Sequence, residues 1–137
     1  TVAVKRLFSN SIESNRKRSE IISAAHIYRG CAIACTAPGT ENARLLSAQA
    51  ADELLEVSGV KASFVIFDSG NDSVNISARS YGDLNVQIIM EYLGGGHRTM
   101  AAAQLTGVNM EEAKSKLCEA IDAKYPRTDD EEPTPIS

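Results

Sequence analysis

The sequence predicts an α/β domain: a mixed β-sheet with an antiparallel hairpin at about residues 60–68 and 73–80, and helices packed on it. Three observations carry this reading. Residues 31–36, Cys-Ala-Ile-Ala-Cys-Thr, are apolar on both faces, as a strand covered from both sides must be. Residues 60–68 and 73–80 are strand-like runs on either side of Ser69-Gly70-Asn71-Asp72, a turn cluster. Apolar residues at helical spacing fill the stretches around them. A chain of 137 residues is one domain, long enough to bury one core.

Taken in order, residues 2–27 read as helix, with a break expected near Ser9-Asn10-Ser11. Val4, Phe8 and Ile12 recur every four residues, and Ile21, Ile22 and Ala25 form a second apolar patch. Between the patches, Arg16-Lys17-Arg18 reads as a solvated face. His26 reads as a residue at the helix end, where its charged form suits the dipole. Gly30 and Pro38-Gly39 bracket the first strand. Thr40 or Asn42 can cap the next helix, whose buried stripe is Leu46, Ala50, Leu54 and Val57 and which stops at Ser58-Gly59.

The strand at 60–68 is centred on Phe64 to Phe67. The returning strand alternates, with Val74, Ile76 and Ala78 on one face and Ser73, Asn75, Ser77 and Arg79 on the other. Ser73 and Asn75 read as solvent-facing. Ser77 and Arg79 read as binding residues, because they share a face at the strand's C-terminal end, where α/β sheets tend to hold ligands. Val86, Ile89, Met90 and Leu93 mark an amphipathic helix with Met90 in the core. Ala101 to Leu105 fits a short strand or a helical turn, and periodicity leaves both open. Asn109-x-x-Glu112 has the form of a capping box, ahead of a helix that buries Met110, Ala113, Leu117, Ala120 and Ile121. Pro126 stops that helix, and residues 126–137, with three prolines and four consecutive acids, read as disordered.

The net charge is −4, and Asp129-Asp130-Glu131-Glu132 supplies all of it: residues 1–128 carry 14 basic against 14 acidic side chains. A neutral body argues against a general duplex-DNA binder, which needs a strong positive field. A small, multiply charged ligand met by a local cluster stays open. Cys31, Cys35 and Cys118 lack zinc-ligand spacing and read as buried free thiols in a reducing compartment. No signal peptide and no transmembrane run is present in the sequence, which starts inside an apolar-periodic pattern and so reads as a piece of a longer protein.

One stretch asks for a chemical explanation. Gly94-Gly95-Gly96 offers bare backbone N–H groups that can form an anion nest, and His97, Arg98 and Thr99 follow with donors suited to anionic oxygen. This is a candidate phosphate-contacting loop. A helix C-cap and turn with solvated His97 and Arg98 fits the same residues, and the dipole at a helix C-terminus does not favour anions. No HExxH, no GxSxG and no P-loop is present, so the chain carries the half of a site that grips a substrate, not the half that cuts.

Ile76-Ser77-Ala78-Arg79-Ser80, Asn85-Val86 and Gly94-Gly95-Gly96-His97 together resemble the DHH-associated C-terminal domain of the DHH phosphoesterase superfamily. Ser47 to Asp52, Val60 to Ile66 and Gly94 to Leu105 are similar, more narrowly, to membrane-anchored cyclic-di-AMP phosphodiesterases. The resemblance covers about residues 1–123, although many relatives carry four glycines before the histidine and this chain has three. It implies a parent enzyme that uses two manganese ions, held in a preceding DHH domain, to hydrolyse cyclic di-AMP to the linear dinucleotide. Residues 1–27 would be a helical connector from that domain, 28–125 the substrate-binding domain and 126–137 an acidic tail. Gly94, Gly95, Gly96 and His97 would hold a phosphate or base edge and Arg79 a phosphate. Ser77 and Ser80 would be nearby donors and Arg98 a further charge.

The chain itself would then contain no catalytic or metal-binding residue and no cofactor. It would be soluble, make no membrane contact and be inactive alone, while its parent sits on the cytoplasmic face of a membrane. Its partners would be a cyclic dinucleotide or short oligonucleotide and the preceding DHH domain, and a homodimer is compatible with this. Within the superfamily, an oligoribonuclease acting on nanoRNA or a 3′-phosphoadenosine phosphate phosphatase is the alternative parent. A non-catalytic nucleic-acid-binding module is the other alternative; only seven aromatics and a neutral body argue against it.

Overall fold

The apolar runs at 31–35 and 62–67 become neighbouring strands, and the sheet is built outward from that pair. The computed structural model describes residues 2–37, 39–70, 73–80, 85–93 and 102–124. Along them run α1 (Val2–Ser23), β1 (His26–Tyr28), β2 (Cys31–Cys35), α2 (Ala43–Leu55), β3 (Ala62–Gly70), β4 (Ser73–Ser80), α3 (Val86–Tyr92), β5 (Ala102–Thr106) and α4 (Met110–Lys124). The strands hydrogen-bond in chain order, β1-β2-β3-β4-β5. Only β2 and β3 are parallel, joined through α2; the other pairs are antiparallel. The sheet is mixed, as expected.

Each face of the sheet has its own core. On one, Ile33, Phe64, Ile66, Ile76 and Ala78 pack against α3 and α4 through Ile89, Met90, Leu117 and Ile121. On the other, Ala32, Ala34 and Val65 meet α2 through Leu46, Ala50, Ala51 and Leu54, and α1 adds Ile21. Alanines on both the strands and the helix let α2 lie close to the sheet. Burying each of the larger side chains contributes about 1.5–3 kcal/mol, and Phe64, Ile33, Ile66, Ile76, Ile89 and Leu117 are fully buried.

Several expectations need correction. The first helix runs unbroken through Ser9-Asn10-Ser11 and ends at Ser23, and His26 opens a three-residue strand instead of closing the helix. A two-residue turn follows, with φ of 52° at Arg29 and 80° at Gly30, the positive values that a type I′ hairpin demands at both positions. Arg18 is not a solvated charge: its Nε lies 2.7 Å from Glu53 Oε1, tying α1 to α2. Neither Thr40 nor Asn42 caps α2 with its side chain. Asn42 takes a left-handed conformation at the cap position, and Thr40 Oγ1 donates instead to the Ala37 carbonyl at 2.6 Å. Val57 lies beyond the helix and is exposed.

Ser73 and Asn75 are buried, not solvated, because the face of β4 that carries them lies on the α2 side of the sheet. The segment left open between strand and turn is strand β5. The capping box forms as its spacing predicts: Glu112 N donates to Asn109 Oδ1 at 2.8 Å, and Asn109 N reaches Glu112 Oε1 at 3.5 Å.

Candidate functional site

Strand β4 delivers the candidate residues to both faces of the sheet. Ala78 is fully buried in the α3–α4 core, so its neighbours Ser77 and Arg79 turn toward the α2 face. Ser80, one residue on, shares the face of Ala78, so the fold brings together Ser77 and Arg79 but not Ser80. Ser77 stands in register with Ala102, the first residue of β5. The chain leaving α3 at Leu93 therefore re-enters the sheet beside Ser77, two residues from Arg79 on the same strand. Gly94, Gly95, Gly96, His97 and Arg98 lie outside the described residues, as do Tyr81 and residues 125–137.

Arg79 is held by two contacts. Its Nε donates to Asp52 Oδ1 on α2 at 2.9 Å, and Nη1 donates to the Ala78 carbonyl at 2.8 Å. Nη2 has no protein partner among the described residues. Asn85 serves the backbone: its Oδ1 accepts from Gln87 N at 3.0 Å and caps α3. Under α2, Ser47 Oγ and Asn75 Nδ2 are buried without a hydrogen-bond partner among the described residues, at a desolvation cost of about 1–3 kcal/mol each.

The argument from strand ends changes with the topology. Because β4 runs antiparallel to β3, Arg79 pairs with Ser63 and Ser80 with Ala62, at the amino ends of the parallel pair. The carboxyl ends of β2 and β3 open elsewhere. A cavity of about 440 Å³ lies between the C-terminal part of α1 and residues 35–37, 39 and 40. Another of about 310 Å³ lies where Arg44 sits 5.6 Å over the Phe67 ring.

Acid–base chemistry is muted across the described residues. Burial pushes the Cys31 thiol up to about 11 and raises Cys35 and Cys118 as well, so none is a thiolate at neutral pH. Burial, aided by a 2.7 Å bond to Asp122, pushes the Tyr28 phenol up to about 12. Asp122 also accepts from Arg29 Nη1 at 2.9 Å, clasping the β1–β2 turn to α4. Among the described residues no group of three His, Cys, Asp or Glu side chains converges as a metal site. No helix among them is long and apolar enough to cross a membrane. Sequence reasoning missed Asp52, which looks like any exposed acid on a helix until the fold sets it against Arg79.

Comparison with known proteins adds a lineage to this geometry. Cyclic-di-AMP phosphodiesterase GdpP of Geobacillus thermodenitrificans (strain NG80-2) is 50% identical over 123 residues, which cover 88% of this chain and 19% of that protein. Cyclic-di-AMP phosphodiesterase PdeA of Listeria monocytogenes serotype 1/2a (strain 10403S) is 43% identical over 127 residues, covering 91% of this chain and 19% of that protein. The chain thus spans about one-fifth of the length of these relatives. An exopolyphosphatase-related protein from Bacteroides fragilis shares the fold, with a TM-score of 0.63 at 19% identity over 80% of this chain and 34% of that one. The model of the DHHA1 domain matches residues 31–125, from the first residue of β2 to just past the end of α4, and this chain belongs to the DHHA1 family.

Proposed function

We propose that this chain is the substrate-binding lobe of a manganese-dependent phosphodiesterase that opens cyclic di-AMP to the linear dinucleotide. A DHH domain upstream in a longer chain does the cutting. Residues 1–27 connect the two, and the parent holds this lobe at the cytoplasmic face of a membrane. Relatives at 43% and 50% identity named as cyclic-di-AMP phosphodiesterases support the substrate class. The donor set of the described residues does not fit a metal centre, so no step here runs through a metal. When bound upstream, the metal pair supplies charge stabilisation and an activated water.

The single observation that carries the reading is Arg79. Its half-buried guanidinium keeps Nη2 without a protein partner among the described residues, close to where the chain returns from residues 94–101. A cyclic dinucleotide presents two singly charged phosphodiesters. Arg79 matches one of them with charge-assisted hydrogen bonds worth about 1.5–3 kcal/mol each. In this reading the rest of the phosphate contacts fall to the backbone N–H groups of Gly94, Gly95 and Gly96 and to His97 and Arg98, with Ser77 as a donor on the face of Arg79; Ser80, on the opposite face, drops out of the cradle.

The test is kinetic. In the longer enzyme, Arg79→Ala or His97→Ala lowers kcat/KM by about 10- to 100-fold while the urea midpoint stays put. Wild-type kinetics in either variant removes that residue from the site. Competition between cyclic di-AMP and a short linear RNA then fixes the substrate, and preference for the RNA shifts the assignment to an oligoribonuclease. The 137-residue chain alone, purified to homogeneity and given manganese, hydrolyses neither; turnover would overturn the division of labour.

A further inference from the structure

We propose that Asp52 is a positioning residue for substrate phosphate: it holds Arg79 by Nε and so aims the Nη edge of the guanidinium at the ligand. This rests on the reading of Arg79 given above.

A guanidinium has five N–H donors in a fixed plane. The contacts to Asp52 Oδ1 and the Ala78 carbonyl engage two different nitrogens and fix that plane. Among the described residues nothing engages the N–H groups of Nη2 or the second on Nη1, and that edge can bind phosphate bidentately.

Asp52 is itself held in place. Ser63, fully buried and in register with Arg79, donates from Oγ to the carbonyl of Ala51 at 2.5 Å. Ala51 is the residue before Asp52. A closed circuit therefore runs from Arg79 across the β3–β4 ladder to Ser63, up to α2, and back through Asp52 to Arg79.

Stability does not account for this bridge. The Asp52 side chain is 63% exposed against 27% for Arg79, and a bridge that water reaches contributes little to folding. What it does supply is order in a side chain with four free torsions, which a ligand would otherwise have to immobilise. Water screens the Asp52 carboxylate more than it screens a phosphate seated against the half-buried guanidinium, so orientation outweighs competition for charge.

The experiment uses the longer enzyme with cyclic di-AMP. Asp52→Ala keeps the fold, since alanine is the better helix former at an exposed helical position. It raises KM about five- to tenfold and leaves kcat nearly unchanged. Asp52→Glu, which restores a carboxylate one methylene further out, recovers most of the loss. In an Arg79→Ala background, Asp52→Ala adds nothing. Additive losses in the double variant, or an unchanged or lowered KM in Asp52→Ala while Arg79→Ala is impaired, overturn the positioning role and leave the Arg79 site standing. Wild-type kinetics in Arg79→Ala itself brings down the site and this inference together.

Discussion

Among the described side chains of helix α1, Ile21 is the one buried in the core, and Ile21→Ala tests how firmly the helix is held. Ile21 is 4% exposed and lies among Ala32, Ala34, Leu46, Ala50 and Val65. The substitution removes three buried carbons, which at about 0.8 kcal/mol each is about 2.4 kcal/mol. Two further effects oppose each other. The walls include alanines on a rigid strand, which cannot move in to fill the gap and so raise the loss. Ile21 also lines the cavity of about 440 Å³ beside α1, so water enters part of the vacated space and lowers it. The expected loss is about 2–3 kcal/mol, or about 8–12 °C in Tm for a domain of this size. Urea denaturation measures the global loss, and amide hydrogen exchange shows whether α1 opens ahead of the sheet. A loss below about 0.5 kcal/mol, with exchange in α1 unchanged, would refute the packing argument.

Two further perturbations read other parts of the structure. Burial, and then the charge of Lys114, hold His26 below its ordinary value of 6.5, so the folded state favours the neutral ring. The unfolded chain binds the proton more readily. His26 thus contributes stability that is present above pH 6.5 and lost as pH falls through the lower folded value. Urea midpoints at about pH 7.5 and 5.5 should diverge more in the wild type than in His26→Gln, and equal divergence would remove His26 as the source. Cys31 is fully buried with its thiol pushed up to about 11, so a thiol reagent at neutral pH should label it only at the rate of unfolding. Fast labelling in native buffer, located by peptide mass, would contradict the burial.

Long, periodic segments were legible in the sequence because burial on one face leaves its period in the chain. The stripes Val86-Ile89-Met90 and Ala113-Leu117-Ala120-Ile121 are buried as their spacing requires. Strand β1 was not legible. It is three residues long, its turn is Arg29-Gly30 instead of an Asn-Gly or Asp-Gly pair, and helical spacing runs on into it. Ser73 and Asn75 carry a solvent-like alternation, but period two says only that two faces differ, not which strand a crossover helix will cover. For the site, Arg79 could be singled out as a cation on a chosen face. Strand direction could not be known, so the carboxyl-end argument for Ser77 and Arg79 rested on a sheet geometry that the topology withdraws. Asp52 meets Arg79 across 27 residues of chain, a tertiary contact with no local signature.

Loop-closure entropy argues that the Asp122 clasp forms late when this domain assembles. Spatial neighbours in the sheet are also neighbours along the polypeptide, so most pairings close short loops at small entropic expense. The bond from Tyr28 to Asp122 spans 94 residues, and closing so long a loop costs more entropy than the local pairings do. Contacts absent from the folding transition state govern how slowly a protein comes apart more than how quickly it assembles. By that argument the clasp, which fastens the β1–β2 hairpin to α4, acts as a brake on unfolding, and breaking it should speed unfolding more than it slows folding.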